Sequence, residues 1–181
     1  FLTVALSGCQ ASVWTGTWTG SATLNDGRMP TTASGTLTIS PGAGTPAALL
    51  FGFKGKLAGG TKEFSCLPVL STANSTATTA TMATGTSCKM TTTPDDGCTN
   101  DVVINSGEFT LAGTMLSGSG NGRLTNACPG MGSATSDFGF TVTAHDTGNN
   151  AVRARLGLAQ KYGSCHTALV GGYVVEGHVH A

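Results

Sequence analysis

Polar and apolar residues alternate with a period of two along much of the chain. The clearest examples are residues 13–19, 36–39, 109–114 and 138–143, where threonine repeatedly occupies one of the two faces. Successive side chains of a β-strand point to opposite faces of the sheet. This alternation therefore predicts half-buried antiparallel strands with a threonine-rich outer face.

Short groups rich in glycine, asparagine and aspartate separate these segments and predict turns between strands. They occur at residues 25–27, 41–44, 95–97, 105–107, 117–122 and 147–150. The stretch 71–93 is low in complexity and predicts a long exposed connection with at most one short strand. The whole pattern predicts an all-β fold, an antiparallel barrel of about 8–10 strands, with a β-sandwich as the alternative.

One segment, residues 150–162, breaks the alternation and predicts a short helix. Asn149 or Asn150 would cap its start, and Gly163 would end it. A strand is the alternative, because Gly157 weakens a helix by about 1 kcal/mol. The residues that follow predict one or two final strands.

The composition limits the classes of partner. Only 10% of the 181 residues are charged, nine of them basic and nine acidic, so the formal net charge is zero. A protein that binds nucleic acid through phosphates carries a basic excess, and this chain has none. The length predicts a single domain.

The N-terminal segment Leu6-Ser7-Gly8-Cys9 resembles the lipobox of bacterial lipoproteins, and it follows a short apolar stretch like the end of a signal peptide. The resemblance implies that the peptide before Cys9 is removed and that the Cys9 thiol carries a lipid anchor in a membrane. Residues 1–8 would then be the tail of a truncated signal peptide, residues 9–12 a linker, and residues 13–181 one β-barrel domain.

The same resemblance implies a cellular location. A lipoprotein of this class lies in the bacterial cell envelope. Gln10 after the cysteine favours the outer membrane, with the domain facing the periplasm or the cell surface. If Cys9 is instead unmodified, it remains available for a disulfide.

The six cysteines predict disulfides, because no C-x-x-C pair suggests zinc or redox chemistry. The predicted pairs are Cys66–Cys88 and Cys98–Cys128, with Cys165 left over. If Cys9 carries no lipid, six thiols allow 15 pairings.

Gly16-Thr17-Trp18 resembles the Gly-x-Trp of the first strand in calycin-like barrels such as lipocalins. The resemblance implies a barrel plugged by tryptophan at one end and a small apolar ligand inside. It makes Trp18 and Trp14 candidates for ligand binding, with core packing as the alternative. Arg153 and Arg155 are candidates for the arginine that packs on this tryptophan in lipocalins.

Metal sites have two candidates. Glu176, His178 and His180 would share one face of a strand, where two imidazoles and a carboxylate suit zinc or copper. A solvent-facing strand is the alternative. The acidic loop 95–101 offers oxygen ligands for calcium, with ordinary turn chemistry as the alternative.

The motifs favour binding over catalysis. The chain has no Gly-x-Ser-x-Gly elbow, no His-Glu-x-x-His pair and no cofactor motif, so no cofactor is expected. We therefore predict a non-catalytic binding or accessory module of the envelope, with a small apolar ligand or an envelope protein as partner. A secreted hydrolase with an unrecognised site and a structural surface protein are the alternatives.

Overall fold

The computed structural model describes residues 13–27, 29–43, 48–158 and 167–176. These residues form a nearly all-β structure with one short helix, which confirms the predicted fold class. The strands are β1 (Gly16–Asn25), β2 (Thr31–Pro41), β3 (Leu49–Leu57), β4 (Glu63–Ser75), β5 (Thr79–Met82), β6 (Ser87–Thr93), β7 (Thr99–Ala112), β8 (Met115–Cys128), β9 (Gly132–Asp146), β10 (Thr167–Val170) and β11 (Tyr173–Glu176).

Strands β1 to β9 close into an antiparallel barrel. Each of β1, β2, β3 and β4 pairs with the next, as do β7, β8 and β9, and β9 returns to pair with β1. Strands β5 and β6 both lie between β4 and β7, so the nine strands fill eight positions. The closed ring confirms the barrel and excludes the sandwich.

The position shared by β5 and β6 is interrupted between the two strands. The Ala83 amide donates to the Ser71 carbonyl at 2.9 Å, and the Gly85 amide donates to the Ile104 carbonyl at 2.8 Å. The Ser71 amide also donates to the Thr86 hydroxyl at 2.7 Å. These hydrogen bonds attach the segment between β5 and β6 to the neighbouring strands β4 and β7. The prediction of an exposed connection over residues 71–93 was therefore wrong, since the stretch contains the end of β4 and both β5 and β6.

Two of the predicted turns were also wrong. Residues 105–107 lie within β7, where the register shifts in a bulge between Ile104 and Ser106, and residues 117–122 lie within β8. The glycines of β8 do not form a turn. They leave room for phenylalanine rings of the neighbouring strands, which would collide with a β-carbon at Gly118, Gly120 or Gly122.

The predicted helix is present but shorter than expected. Helix α1 spans Asn149–Arg155 rather than 150–162, and its N-cap is Gly148 with no side-chain cap. Gly157 adopts a φ of 70°, a left-handed conformation that glycine tolerates and that ends a helix. After it, β10 and β11 form a separate antiparallel hairpin. This helix is too short to cross a membrane, and no other helix occurs in the described ranges.

Candidate ligand-binding cavity

The barrel has one end plugged by tryptophan. Trp14, just before β1, is 1% exposed, and Trp18 in β1 is 0% exposed. The Trp14 Nε1 donates to the Thr76 carbonyl at 2.7 Å, and the Trp18 Nε1 donates to the Trp14 carbonyl at 3.1 Å. Both indole N–H groups are therefore satisfied within the plug, as buried tryptophan requires.

The opposite end is the mouth. Because the strands are antiparallel, the β1–β2, β3–β4, β6–β7 and β8–β9 connections all lie there. Met29 and Met131, in two of these connections, are 84% and 81% exposed. The mouth is thus bordered by flexible apolar side chains.

A cavity of about 410 Å³ extends from the mouth into the barrel. It reaches from Asp26 and Leu57 at the mouth to Leu70, Met82 and Ala144 towards the plugged end. This volume is in the range of small-molecule sites. Its walls are mainly aliphatic and aromatic side chains of the inward faces of the strands.

Every phenylalanine in the described ranges lines this cavity: Phe51, Phe53, Phe64, Phe109, Phe138 and Phe140. The rings form two groups. Phe53 and Phe64, on β3 and β4, meet edge to face with centroids 5.8 Å apart. The other four form a chain, from Phe51 to Phe109 at 4.9 Å, to Phe140 at 6.3 Å and to Phe138 at 6.3 Å.

The two groups cover different sides of the cavity. In a ring of eight positions, β3 lies opposite β8 and β4 lies opposite β9. Phe53 and Phe64 therefore face the wall where Phe138 and Phe140 cover the glycines of β8. Phe51 and Phe109 meet across the barrel and are almost fully buried, so they form the floor.

Around the cavity, charge is confined to the rim and to the outer face of the barrel. Among the described residues that line the cavity, the ionisable ones are Asp26 and Lys54. Asp26 follows β1 at the mouth. Lys54 lies on the outer face of β3, where its Nζ is 3.0 Å from Glu63 Oε1. Below the rim the described lining thus offers no ionic partner.

The predicted disulfides Cys66–Cys88 and Cys98–Cys128 are both present. Cys66 and Cys88 are buried inside the barrel, next to the short β4–β6 ladder that ends at the Ser65–Thr91 pair. Their bond therefore joins β4 to β6 where the backbone pairing stops. Cys98–Cys128 lies at the mouth and ties the start of β7 to the end of β8.

The acidic loop at the mouth is organised by ordinary turn contacts. Asp96 accepts hydrogen bonds from the Lys62 Nζ at 3.0 Å, the Thr92 hydroxyl at 3.1 Å and the Cys98 amide at 3.0 Å. The hydrogen bond from Lys62, followed by that from the Cys98 amide, lowers the pKa of Asp96. Its oxygens thus accept hydrogen bonds from the protein itself, and calcium binding by this loop stays a prediction.

The sequence-predicted site residues are not brought together. Trp14 and Trp18 lie in the plug and are not among the cavity-lining residues, so ligand contact by either ring stays a prediction. Arg153 is buried, 1% exposed, and Arg155 is exposed. No cluster of three metal-ligating side chains occurs within the described part of the chain.

Several predictions lie outside the described residues. These are the signal tail 1–8, the linker 9–12 with Cys9, and Cys165, His178 and His180. Glu176 ends β11, but its side chain is not described. The lipid anchor and the terminal metal site therefore stay predictions.

Sequence reasoning missed the aromatic lining. The available signal was that Phe51 and Phe53, like Phe138 and Phe140, are spaced two apart and so share a strand face. What the spacing does not show is that the faces of β3 and β9 meet across one cavity. That follows from the closed ring of strands.

No protein-family model and no curated protein matches this sequence. A solved structure with a similar chain path is described as the structure of EF1p2_mFAP2b bound to DFHBI. It is 18% identical, the alignment covers 76% of this chain and 97% of that chain, and the TM-score is 0.44. The bound DFHBI belongs to that protein.

Proposed function

We propose that this protein is a non-catalytic binding module that holds a small apolar ligand inside its barrel. The observation that carries the proposal is the cavity of about 410 Å³, which is open at the mouth and lined by phenylalanine and aliphatic side chains. Water finds few hydrogen-bond partners against apolar walls, so a small apolar molecule that displaces it from such a cavity binds favourably.

The distribution of polar groups supports binding rather than chemistry. Catalysis by acid, base or nucleophile requires such a group within reach of the bound molecule. Among the described lining residues, the ionisable side chains lie at the rim or on the outer face, and the deeper walls are mainly aliphatic and aromatic. Burial of an apolar ligand there contributes roughly 25 cal/mol per Å² of covered surface.

We further propose that the protein is anchored in a bacterial envelope membrane, at the outer membrane, by a lipid on Cys9. The lipobox-like Leu6-Ser7-Gly8-Cys9 supports this proposal. β1 begins at Gly16, at the plugged end. Cys9 thus lies seven residues before the first strand in the sequence.

The cavity can be tested with N-phenyl-1-naphthylamine, a neutral dye that brightens in apolar surroundings. We expect one dye per chain. Ala22→Phe, which fills an inward position, should weaken dye binding by roughly tenfold or more, since overpacking leaves less room. Thr23→Phe, its neighbour outside the cavity lining, is the matched control. No saturable dye binding, or equal loss in both variants, would refute the proposal.

The anchor can be tested by expression in a bacterium that processes lipoproteins, followed by intact-mass measurement of the membrane fraction. We expect a chain that begins at Cys9 and carries acyl groups. Cys9→Ser should abolish the added mass and the membrane association. An unmodified Cys9 that still follows residues 1–8 would overturn this proposal and leave the cavity proposal standing.

A further inference from the structure

We infer that the ligand is an uncharged molecule built on flat aromatic rings, bound between the two groups of phenylalanines. This inference rests on the proposed function and specifies the chemical class that the same cavity takes.

The rings form two facing walls and a floor. Phe53 and Phe64 stand on the β3–β4 side, and Phe138 and Phe140 stand on the opposite side against β8. Phe51 and Phe109 close the space below them, 4.9 Å apart. A molecule that enters from the mouth therefore contacts aromatic side chains on two opposed sides.

Such walls favour aromatic ligands over saturated ligands of the same size. Phenylalanine carries a negative face and a positive edge, so it attracts another aromatic ring in offset or edge-to-face contact beyond simple area burial. The existing contacts in this lining, 38° and 67° between ring planes, are already of these tilted kinds. A saturated ligand of the same size gains the area burial alone.

The wall formed by Phe138 and Phe140 leaves space for a ligand at the centre of the barrel. β8 presents bare backbone at Gly120 and Gly122, and the rings of Phe140 and Phe138 pack close to these two glycines. The rings therefore lie back against the wall instead of filling the centre of the barrel. Packed as densely as a protein interior, the cavity would hold about 300 Å³ of ligand, enough for a few fused rings.

Charge is disfavoured for a physical reason. An ion taken from water into an apolar cavity loses its hydration, and this cost is not recovered without a partner. The described lining below the rim provides none, since the Lys54 ammonium is engaged by Glu63 on the outside. A carboxylate or ammonium on the ligand would have to stay at the mouth.

The inference is tested by competition against the dye with 2-naphthol, decahydro-2-naphthol and 2-naphthoate at pH 7. The first two share a skeleton and a hydroxyl group but differ in aromaticity, and the third adds a negative charge. We expect 2-naphthol to displace the dye at about threefold to tenfold lower concentration than its saturated counterpart. 2-Naphthoate should compete at least tenfold more weakly than 2-naphthol.

Variants test whether the phenylalanine walls cause the preference for an aromatic ligand. The measured ratio is the concentration of decahydro-2-naphthol that displaces the dye divided by that of 2-naphthol. Phe53→Leu and Phe140→Leu should each reduce this ratio towards one. Thr23→Leu, at a position outside the cavity lining, should leave this ratio unchanged. If a phenylalanine variant fails to fold, the wild-type ratio still decides.

Each outcome has a separate meaning. Dye binding with equal competition by the aromatic and saturated alcohols would overturn the inference and keep the proposed function. Strong competition by 2-naphthoate would overturn the uncharged class alone. If the dye itself does not bind, the proposed function fails, and the inference fails with it.

Discussion

The ring of Phe140 occupies the space that a side chain at Gly120 would need. The two residues pair directly across β8 and β9, and a β-carbon on Gly120 would lie 2.6 Å from Phe140 Cζ. The glycine thus determines where the ring can lie, and the ring determines the shape of one wall of the cavity.

Gly120→Ala should therefore destabilise the barrel by about 1–3 kcal/mol, because the new methyl group overpacks against Phe140 and against the Ser106 carbonyl. Urea denaturation measures the free energy of unfolding. Gly139→Ala, one residue before Phe140, is the control, since its nearest atoms would lie at 3.8 Å. A loss of stability at Gly139 as large as at Gly120 would contradict this explanation.

The two disulfides should contribute to stability by similar entropic terms. They join cysteines that are 22 and 30 residues apart in sequence. Each should raise the free energy of unfolding by about 3 kcal/mol, because it restricts the unfolded chain. The Cys66→Ala/Cys88→Ala double variant should lose more than Cys98→Ala/Cys128→Ala, because it also empties buried space where the β4–β6 ladder ends. Denaturation of both variants checks the order, and the reverse order would contradict it.

Asp96 should make stability depend on pH in the acid range. Its pKa is lowered in the folded protein, so its contribution is present above the ordinary value of 3.8 and is lost as pH falls through the lower folded pKa. Asp96→Asn should therefore be less stable than wild type at pH 7, and the difference should shrink below pH 3.8.

The cause of that shift can be tested directly by NMR titration of the Asp96 carboxyl. Lys62→Gln removes the hydrogen bond that contributes most, so the pKa of Asp96 should rise towards its ordinary value. Lys89→Gln, on an exposed position of β6, is the control. An unchanged Asp96 pKa in Lys62→Gln would show that the salt bridge does not form in solution.

The tryptophan plug should serve stability without serving ligand affinity. Trp14→Phe removes the donor to the Thr76 carbonyl, so it should cost about 1–3 kcal/mol. Dye affinity should stay within about twofold, since Trp14 is not a lining residue. A large loss of affinity in a variant that remains folded would restore the ligand-binding interpretation of the tryptophans.

Strand alternation was sufficient to predict the barrel but not its interruptions. Phe109 and Leu111 alternate with polar residues, and both point inwards as the pattern predicts. Gly118 and Gly120 suggested a turn because glycine-rich segments usually form turns. These glycines are instead required by phenylalanine rings that pack against them from neighbouring strands. Such contacts join residues that are distant in sequence, so they produce no pattern within the segment itself.

The candidate site was less accessible to sequence reasoning than the fold. The Cys66–Cys88 and Cys98–Cys128 pairs were correctly predicted, the first because both cysteines end Thr/Ser-rich segments that could pair across the loop between them. The cavity depends on the volume left between opposed side chains, which is a property of the closed ring rather than of any segment. The motifs around Trp18 drew attention to the plugged end, whereas the cavity opens at the other.

The closure of the ring by β1 and β9 has a consequence for how the chain folds. Thr19 and Thr147, whose hydroxyls meet at 3.2 Å beside this seam, are 128 residues apart in sequence. β1 therefore waits with an unpaired edge until nearly the whole barrel has been synthesised, and contacts between such distant residues form slowly. β1 contains no charged residue to discourage pairing with another chain. We expect this first strand to be the segment most prone to intermolecular pairing during folding.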